Sequence, residues 1–202
     1  MLRDRGVEGI NKMLKYDVFS HGGYDHYRMV FEKRDFDLLD YSDKFHPSEL
    51  EAKNLARQLL RILTDMVEKA GLIHLDLKPE NVLIDVQSKQ IELCDLATCV
   101  FTDNEFISVP FLGTMAFAPP EQLSEIVFPL KSVVWSFALT VYLLLHTSMP
   151  WDEYENEDVQ QTVQFKDGLS DEFKDFMFWC LEPNPKNRID LFGLWSLDWL
   201  KN

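Results

Sequence analysis

Between Gly71 and Asp85 the chain reads Gly-Leu-Ile-His-Leu-Asp-Leu-Lys-Pro-Glu-Asn-Val-Leu-Ile-Asp. An acid, a base and an amide, Asp76, Lys78 and Asn81, stand within six positions. A carboxylate can orient a hydroxyl and accept its proton. An ammonium can neutralise charge on a transferred group, and an amide oxygen can ligate a hard cation. The apolar flanks favour burial, Val82-Leu83-Ile84 on the far side, and so pin the polar middle on a scaffold at the edge of a cleft. Phosphoryl transfer draws most of its catalysis from charges positioned in this way. Taken alone, the stretch is also compatible with a polar turn between two buried strands.

Residues His74 to Asn81, HLDLKPEN, resemble the catalytic loop H-R-D-L-x-x-x-N of the eukaryotic protein kinases, in its serine/threonine-type Lys-Pro-Glu form. Further segments follow in the family's order. Asp95-Leu96-Ala97 stands at the D-F-G position. Gly113-Thr114-Met115-Ala116-Phe117-Ala118-Pro119-Pro120-Glu121 is similar to the end of an activation segment. Ser132-Val133-Val134-Trp135-Ser136-Phe137 and Asn184-Pro185-Lys186-Asn187-Arg188 resemble two segments of the large lobe.

The resemblance implies ATP and magnesium as cofactors and a protein substrate, basic near its target Ser or Thr. Asp76 would orient the substrate hydroxyl and accept its proton. Lys78 would stabilise charge on the phosphoryl group, and Thr114 would bond near both. Asn81 and Asp95 would hold magnesium. Leu83 would pack beneath the adenine, Phe31 falls at the gatekeeper, and the backbone of Glu32-Lys33-Arg34 becomes the hinge. Glu80 would favour a basic side chain just upstream of the phosphorylated residue. Arg188 would pair with Glu121 in the interior. Thr98, Thr102 and Ser108 lie in the activation segment as phosphate acceptors.

There are departures too. Leu75 replaces the arginine beside Asp76, which argues against control by a phosphate paired to it. Ala97 replaces a glycine whose backbone freedom alanine lacks. Pro119 replaces an alanine. Val133 replaces an aspartate that accepts backbone hydrogen bonds from the loop, and its loss is expected to leave donors unpaired. The chain contains no G-x-G-x-x-G loop and no phosphate lysine with a glutamate partner, since Lys12 and Lys15 stand too late in the order. Two readings stay open. One is a serine/threonine kinase whose transfer is weak or absent in this chain alone. The other is a non-catalytic pseudokinase scaffold that binds kinase regulators or substrates.

The elements that must position these residues are legible from pattern. Strand-like runs Asn11 to Phe19 and His26 to Phe31 flank Ser20-His21-Gly22-Gly23, predicting a hairpin. Ser48-Glu49-Leu50-Glu51 is a capping box, followed by Leu55, Leu59, Ile62, Leu63 and Met66 at helical spacing, with Gly71 at the exit. Ile91 to Cys94 reads as a strand. Lys131 to His146 is apolar nearly all round and predicts a buried helix. Phe173, Phe176, Met177, Cys180 and Leu181 predict another helix, and Leu194 to Leu200 a terminal one. Asp152 to Asp158 is an acidic loop. The expected fold is α+β and mainly α, a kinase-like fold. Residues 1–33 would form a remnant of the N-terminal lobe and hinge, and residues 34–202 a helical C-terminal lobe. A two-stranded hairpin is marginal alone, so the chain is expected to be incomplete, unstable at this end, or completed by a protein partner covering the hairpin edge.

Composition narrows the field. The chain has 202 residues, 46% of them hydrophobic, enough for a substantial core. Its formal net charge of −14 disfavours nucleic acid and anionic membranes and suits basic partners. Three cysteines without metal-type spacing suit reduced thiols in a cytoplasmic or nuclear protein. The N-terminus carries no apolar signal run.

Overall fold

A computed structural model describes residues 2–151 and 163–201; the acidic stretch 152–158 lies outside the described residues. The architecture is α+β and mainly helical, as the sequence leads one to expect. A segment before the first strand packs onto the body, burying Leu2, Val7 and Ile10 in the common core. Strands β1 (Met13–His21) and β2 (Tyr24–Phe31) form an antiparallel hairpin. Its turn is Gly22-Gly23, with φ of 63° and 82°; only glycine takes two successive left-handed angles cheaply. The turn is therefore shorter than the Ser20–Gly23 stretch, and β1 runs on to His21.

Strand β3 (Phe36–Asp37) leads into helix α1 (Leu38–Phe45), capped by the Asp37 carboxylate. Helix α2 (Glu49–Ala70) begins where Ser48 Oγ accepts from Glu51 N and ends at Gly71, φ 66°. Its buried stripe includes Leu55, Leu59, Leu60, Leu63 and Met66. The stripe faces the core, so the opposite end of α2 is fixed when it releases the chain into β4 (Leu72–His74). Strands β5 (Val82–Ile84) and β6 (Ile91–Leu93) join β3 in an antiparallel sheet of order β3-β5-β6. Strand β7 (Cys99–Phe101) pairs with β4, and β8 (Ile107–Ser108) with β9 (Ile126–Val127). Helix α3 (Pro129–Leu145) is buried on almost every face. Helix α4 (Asp171–Cys180) is capped by Ser170 and buries Phe173, Phe176, Met177 and Cys180.

The C-terminal stretch differs from the helix expected there. Gly193–Ser196 and Asp198–Leu200 are two 3-10 turns broken by an extended Leu197. Leu194, Trp199 and Leu200, on either side of the break in sequence, are all buried in the common core. Trp199 Nε1 donates to Glu49 Oε1 at 2.9 Å, tying the end of the chain to the start of α2.

The leading segment is held by backbone bonds that no periodicity foretells. Leu93 N donates to Gly9 O at 2.7 Å and Asn11 N to Leu93 O at 2.9 Å. Gly9 has φ +72°, and a Cβ there would sit 2.4 Å from Ile62 Cγ1. Gly9→Ala is expected to cost about 2 kcal/mol or more, from the left-handed angle and the overlap together. A urea midpoint equal to that of the parent would contradict this.

Candidate active site

The loop between β4 and β5 is built by its flanks. Ile73 and His74 are buried at one end and Val82 and Ile84 at the other, while a 3-10 turn, Pro79–Asn81, bends the chain between them. Asp76 is 9% exposed. Its carbonyl accepts from Asn81 Nδ2 at 2.7 Å, and its Oδ2 lies 3.4 Å from the same nitrogen. Lys78 Nζ stands 3.5 Å from Asp76 Oδ2 and donates to Thr114 Oγ1 at 2.8 Å. Asp76 Oδ1 is buried with no hydrogen-bond partner among the described residues. A buried, unpaired carboxylate oxygen is costly and marks an acceptor position aimed at something the protein does not itself supply.

Asp95 arrives from the end of β6, and two bonds fix it against the loop. Cys94 N donates to Asn81 O at 2.9 Å, and His74 Nε2 donates to Cys94 O at 3.2 Å. His74 Nδ1 must then be the acceptor for Asp76 N, at 3.1 Å. One neutral imidazole thus bridges the acid of the loop and the strand end carrying the second acid, and both carboxylates act on it electrostatically. Asp76, Lys78, Asn81 and Thr114 are thereby linked side by side, and Asp95 follows directly on Cys94, which is bonded to Asn81 and His74. The sequence pattern marks His74 only by its place before the acid and says nothing of this bridging.

Backbone strain sits elsewhere than expected. The left-handed residue is Asp95, φ 52° and ψ 66°, whereas Ala97 lies in the 3-10 turn Leu96–Thr98. Aspartate tolerates that region better than most residues, so alanine at 97 carries no penalty here. One backbone donor of the loop has a partner despite Val133. Asp76 N finds His74 Nδ1, and Val133 is fully buried among apolar neighbours. Leu75 is also packed in the core.

The activation segment presses on the loop at Gly113. Its φ is +107°, and a Cβ there would lie 3.0 Å from Leu75 O and 3.2 Å from Asp76 Oδ1. Of the three hydroxyls noted in this segment, only Ser108 is exposed, and Thr98 Oγ1 is buried. Glu80 Oε2 is a second buried carboxylate oxygen without a partner among the described residues.

The hinge candidates follow directly on β2. Phe31 ends β2 opposite Met13. Glu32 N donates to Lys12 O, and Glu32 O accepts from Asn11 Nδ2, so both its backbone groups have internal partners. Arg34 Nη2 donates to Glu92 Oε1 at 2.6 Å, and Asn11 Nδ2 to Glu92 Oε2 at 2.9 Å. That pairing with Glu92 raises the Arg34 guanidinium above its ordinary pKa. The side chain is thereby committed to Glu92. Glu92 stands directly across from the half-buried Leu83 in the β5–β6 ladder. Glu92 and Asn11, which clamp the hinge, carried no sequence signal.

Burial pushes the Cys94 thiol up to about 11 and Cys99 up to about 12, with the Asp95 charge adding to both. All three cysteines are free. Neither Cys94 nor Cys99 is a thiolate near neutral pH.

Burial also lowers the pKa of His74, against the opposing pull of its bond to Cys94 O and of both acids. A base whose folded value lies below its unfolded value of about 6.5 contributes stability that is complete above that pH. The contribution is lost as pH falls toward the folded value. In the metal-free chain the His74 imidazole is expected to titrate below its ordinary value by NMR. A midpoint at or above 6.5 would contradict the bridging geometry.

A family model described as "Protein kinase domain" matches residues 11–200. "Serine/threonine-protein kinase 1" of African swine fever virus (isolate Pig/Kenya/KEN-50/1950) is 28% identical over 196 residues, covering 96% of this chain and 64% of the viral protein. "Serine/threonine-protein kinase pim-2" of Danio rerio is 27% identical over 201 residues, covering 96% of this chain and 62% of the fish protein. The chain thus spans 64% and 62% of the lengths of these two relatives.

Proposed function

The chain belongs to the protein kinase domain family, and from that premise we propose that it transfers the terminal phosphoryl group of ATP to a Ser or Thr hydroxyl of a protein. The observation that carries this reading is the unpaired, buried Asp76 Oδ1 beside Lys78 and Asn81. Asp76 accepts the proton of the substrate hydroxyl and orients its oxygen. Lys78, steadied by Thr114, sets positive charge where the phosphoryl group passes.

The residues present fit a magnesium–ATP complex. Among the described residues, no three His, Cys, Asp or Glu side chains form a ready-made metal cage. Magnesium in such sites takes one or two carboxylates together with the substrate's phosphates. The amide nitrogen of Asn81 is spent on Asp76, so its oxygen, with the Asp95 carboxylate, would hold the cation. When bound, magnesium neutralises charge on the phosphates. Phe31, the Glu32–Arg34 stretch and Leu83 would enclose the adenine, with the backbone groups of Glu32 already bonded to Lys12 and Asn11. Residues 1–33 then act as small-lobe remnant and hinge, and residues 34–202 as the large lobe. Glu80 Oε2 supports a substrate with a basic side chain just upstream of its target. Among the described residues no helix is long and apolar enough to cross a membrane; we assign the chain to the cytoplasm or nucleus.

A second reading, a scaffold that binds kinase regulators or substrates without turnover, draws support from Leu75 and Val133. Both are buried apolar residues at positions where the resembled kinase motifs carry arginine and aspartate. Incubation of the chain with γ-labelled ATP, magnesium and Ser/Thr peptides separates the two readings. Incorporation that is higher for an arginine-containing peptide than for its alanine counterpart supports the enzyme and the role of Glu80. No incorporation into any peptide or protein supports the scaffold.

A further inference from the structure

The hairpin carries more apolar surface than its packing uses. Tyr16, Val18, Tyr27 and Met29 share one face, through the pairs Tyr16–Met29 and Val18–Tyr27. They are 51%, 48%, 65% and 55% exposed. Among the described residues, no strand pairs with the outer edge of β1. An exposed strand edge bordered by apolar side chains is a template for another strand.

The order of residues on β1 says which strand fits. Leu14-Lys15-Tyr16-Asp17-Val18 is symmetric in character about Tyr16: apolar, positive, aromatic, negative, apolar. Two identical strands paired antiparallel by a twofold axis must have that axis pass through a residue, because inward and outward backbone groups alternate. An axis through Tyr16 sets Lys15 opposite Asp17 of the other copy, twice; Leu14 sits at a bulge in β1 and stays outside this register. An axis through Lys15 or Asp17 opposes like charges, and one through Val18 opposes Asp17 to Phe19. On β2, an axis through Arg28 opposes like charges and one through Tyr27 sets His26 against Arg28. Among the lysines, arginines and carboxylates of the two strands, no other placement sets opposite charges against each other; an axis through Phe19 sets Asp17 only against His21.

We propose that β1 is a self-association edge. It pairs antiparallel with β1 of a second copy about Tyr16, making a four-stranded sheet β2-β1-β1-β2. On one face the rows read Met29, Tyr16, then Tyr16 and Met29 of the second copy, a continuous apolar band. On the other face Arg28, already 2.7 Å from Asp17, is followed by Asp17 and then by Lys15 of the second copy. Charges alternate along that row, which is the favourable arrangement of cross-strand neighbours. In the isolated chain Lys15 reaches Asp17 of its own strand at 3.2 Å, with its side chain 61% exposed. That contact is a weak competitor. The symmetric interface is isologous and closes at two copies.

The test is sedimentation equilibrium of the 202-residue chain over a range of concentrations. It covers the parent, Lys15→Asp, Asp17→Lys, and an equimolar mixture of the two variants. The parent is expected to dimerise. Each variant alone turns two attractive pairs into two repulsive ones and is expected to dimerise at least about tenfold more weakly. In the mixture, one chain offers two acids and the other two lysines, so both cross-strand pairs are attractive again. The mixed dimer is expected to regain affinity within about threefold of the parent's. Since the variants restore each other, loss of association cannot be mistaken for loss of folding. A parent that stays monomeric overturns the proposal and leaves the edge to a strand of another protein. So does a mixture that associates no better than its components.

Discussion

Replacing Asp76 by Asn is expected to lower phosphate transfer by about a thousandfold or more while leaving the fold intact. Asparagine has nearly the same shape, so the contact with Asn81 and the pressure of Gly113 against this side chain can be kept. It lacks the capacity to take a proton, and it removes the charge that faces Lys78 at 3.5 Å. The backbone link from Asp76 N to His74 does not depend on the side chain. Near-UV circular dichroism should therefore match that of the parent while the transfer rate collapses. Equal transfer by mutant and parent would remove Asp76 from the mechanism.

The second large effect is on stability. Arg188 is fully buried and makes a two-pronged pair with Glu121, Nη1 to Oε1 at 2.7 Å and Nη2 to Oε2 at 2.9 Å. Its remaining donors reach the carbonyls of Glu182, Lys131 and Pro183. Its guanidinium carbon lies 5.1 Å from the centre of the Trp135 ring. Ser132 Oγ donates to the same carboxylate at 2.8 Å. Arg188→Ala leaves Glu121 charged and buried and strands three carbonyls. The expected loss is about 3–5 kcal/mol, read from urea unfolding. Replacing both partners together, Glu121→Leu with Arg188→Met, is expected to recover a large part of that loss, because the desolvation of both charges disappears. A single-variant loss under about 1 kcal/mol would mean that the pair behaves as a surface contact.

How much of this was written in the sequence depends on whether the cause is local. Ser48 and Gly71 delimit α2 where the capping pattern puts them, because a cap is chemistry between neighbours in the chain. The order of short segments likewise brought Asp76, Lys78, Asn81 and Thr114 onto one list, and the structure gathers them. What escaped is what depends on contacts between distant segments. The leading residues dock through Gly9 onto Ile62 and Leu93, and no periodicity encodes that docking. The left-handed angle falls on Asp95 because Cys94 is tied on both sides to the loop. A glycine-to-alanine comparison at position 97 therefore looked for strain in the wrong residue. Leu194 to Leu200 has helical spacing of large side chains, yet the chain breaks at Leu197 and still buries Leu194, Trp199 and Leu200.

The proposed grip of Asn81 and Asp95 on a magnesium-bound triphosphate is read by thermal unfolding with ATP. With magnesium present and ATP at about a hundred times its dissociation constant, the midpoint should rise by about 5–10 °C. Chelating the metal or making Asp95→Asn should remove most of that rise. A midpoint that ATP leaves unmoved, with and without magnesium, would contradict the account.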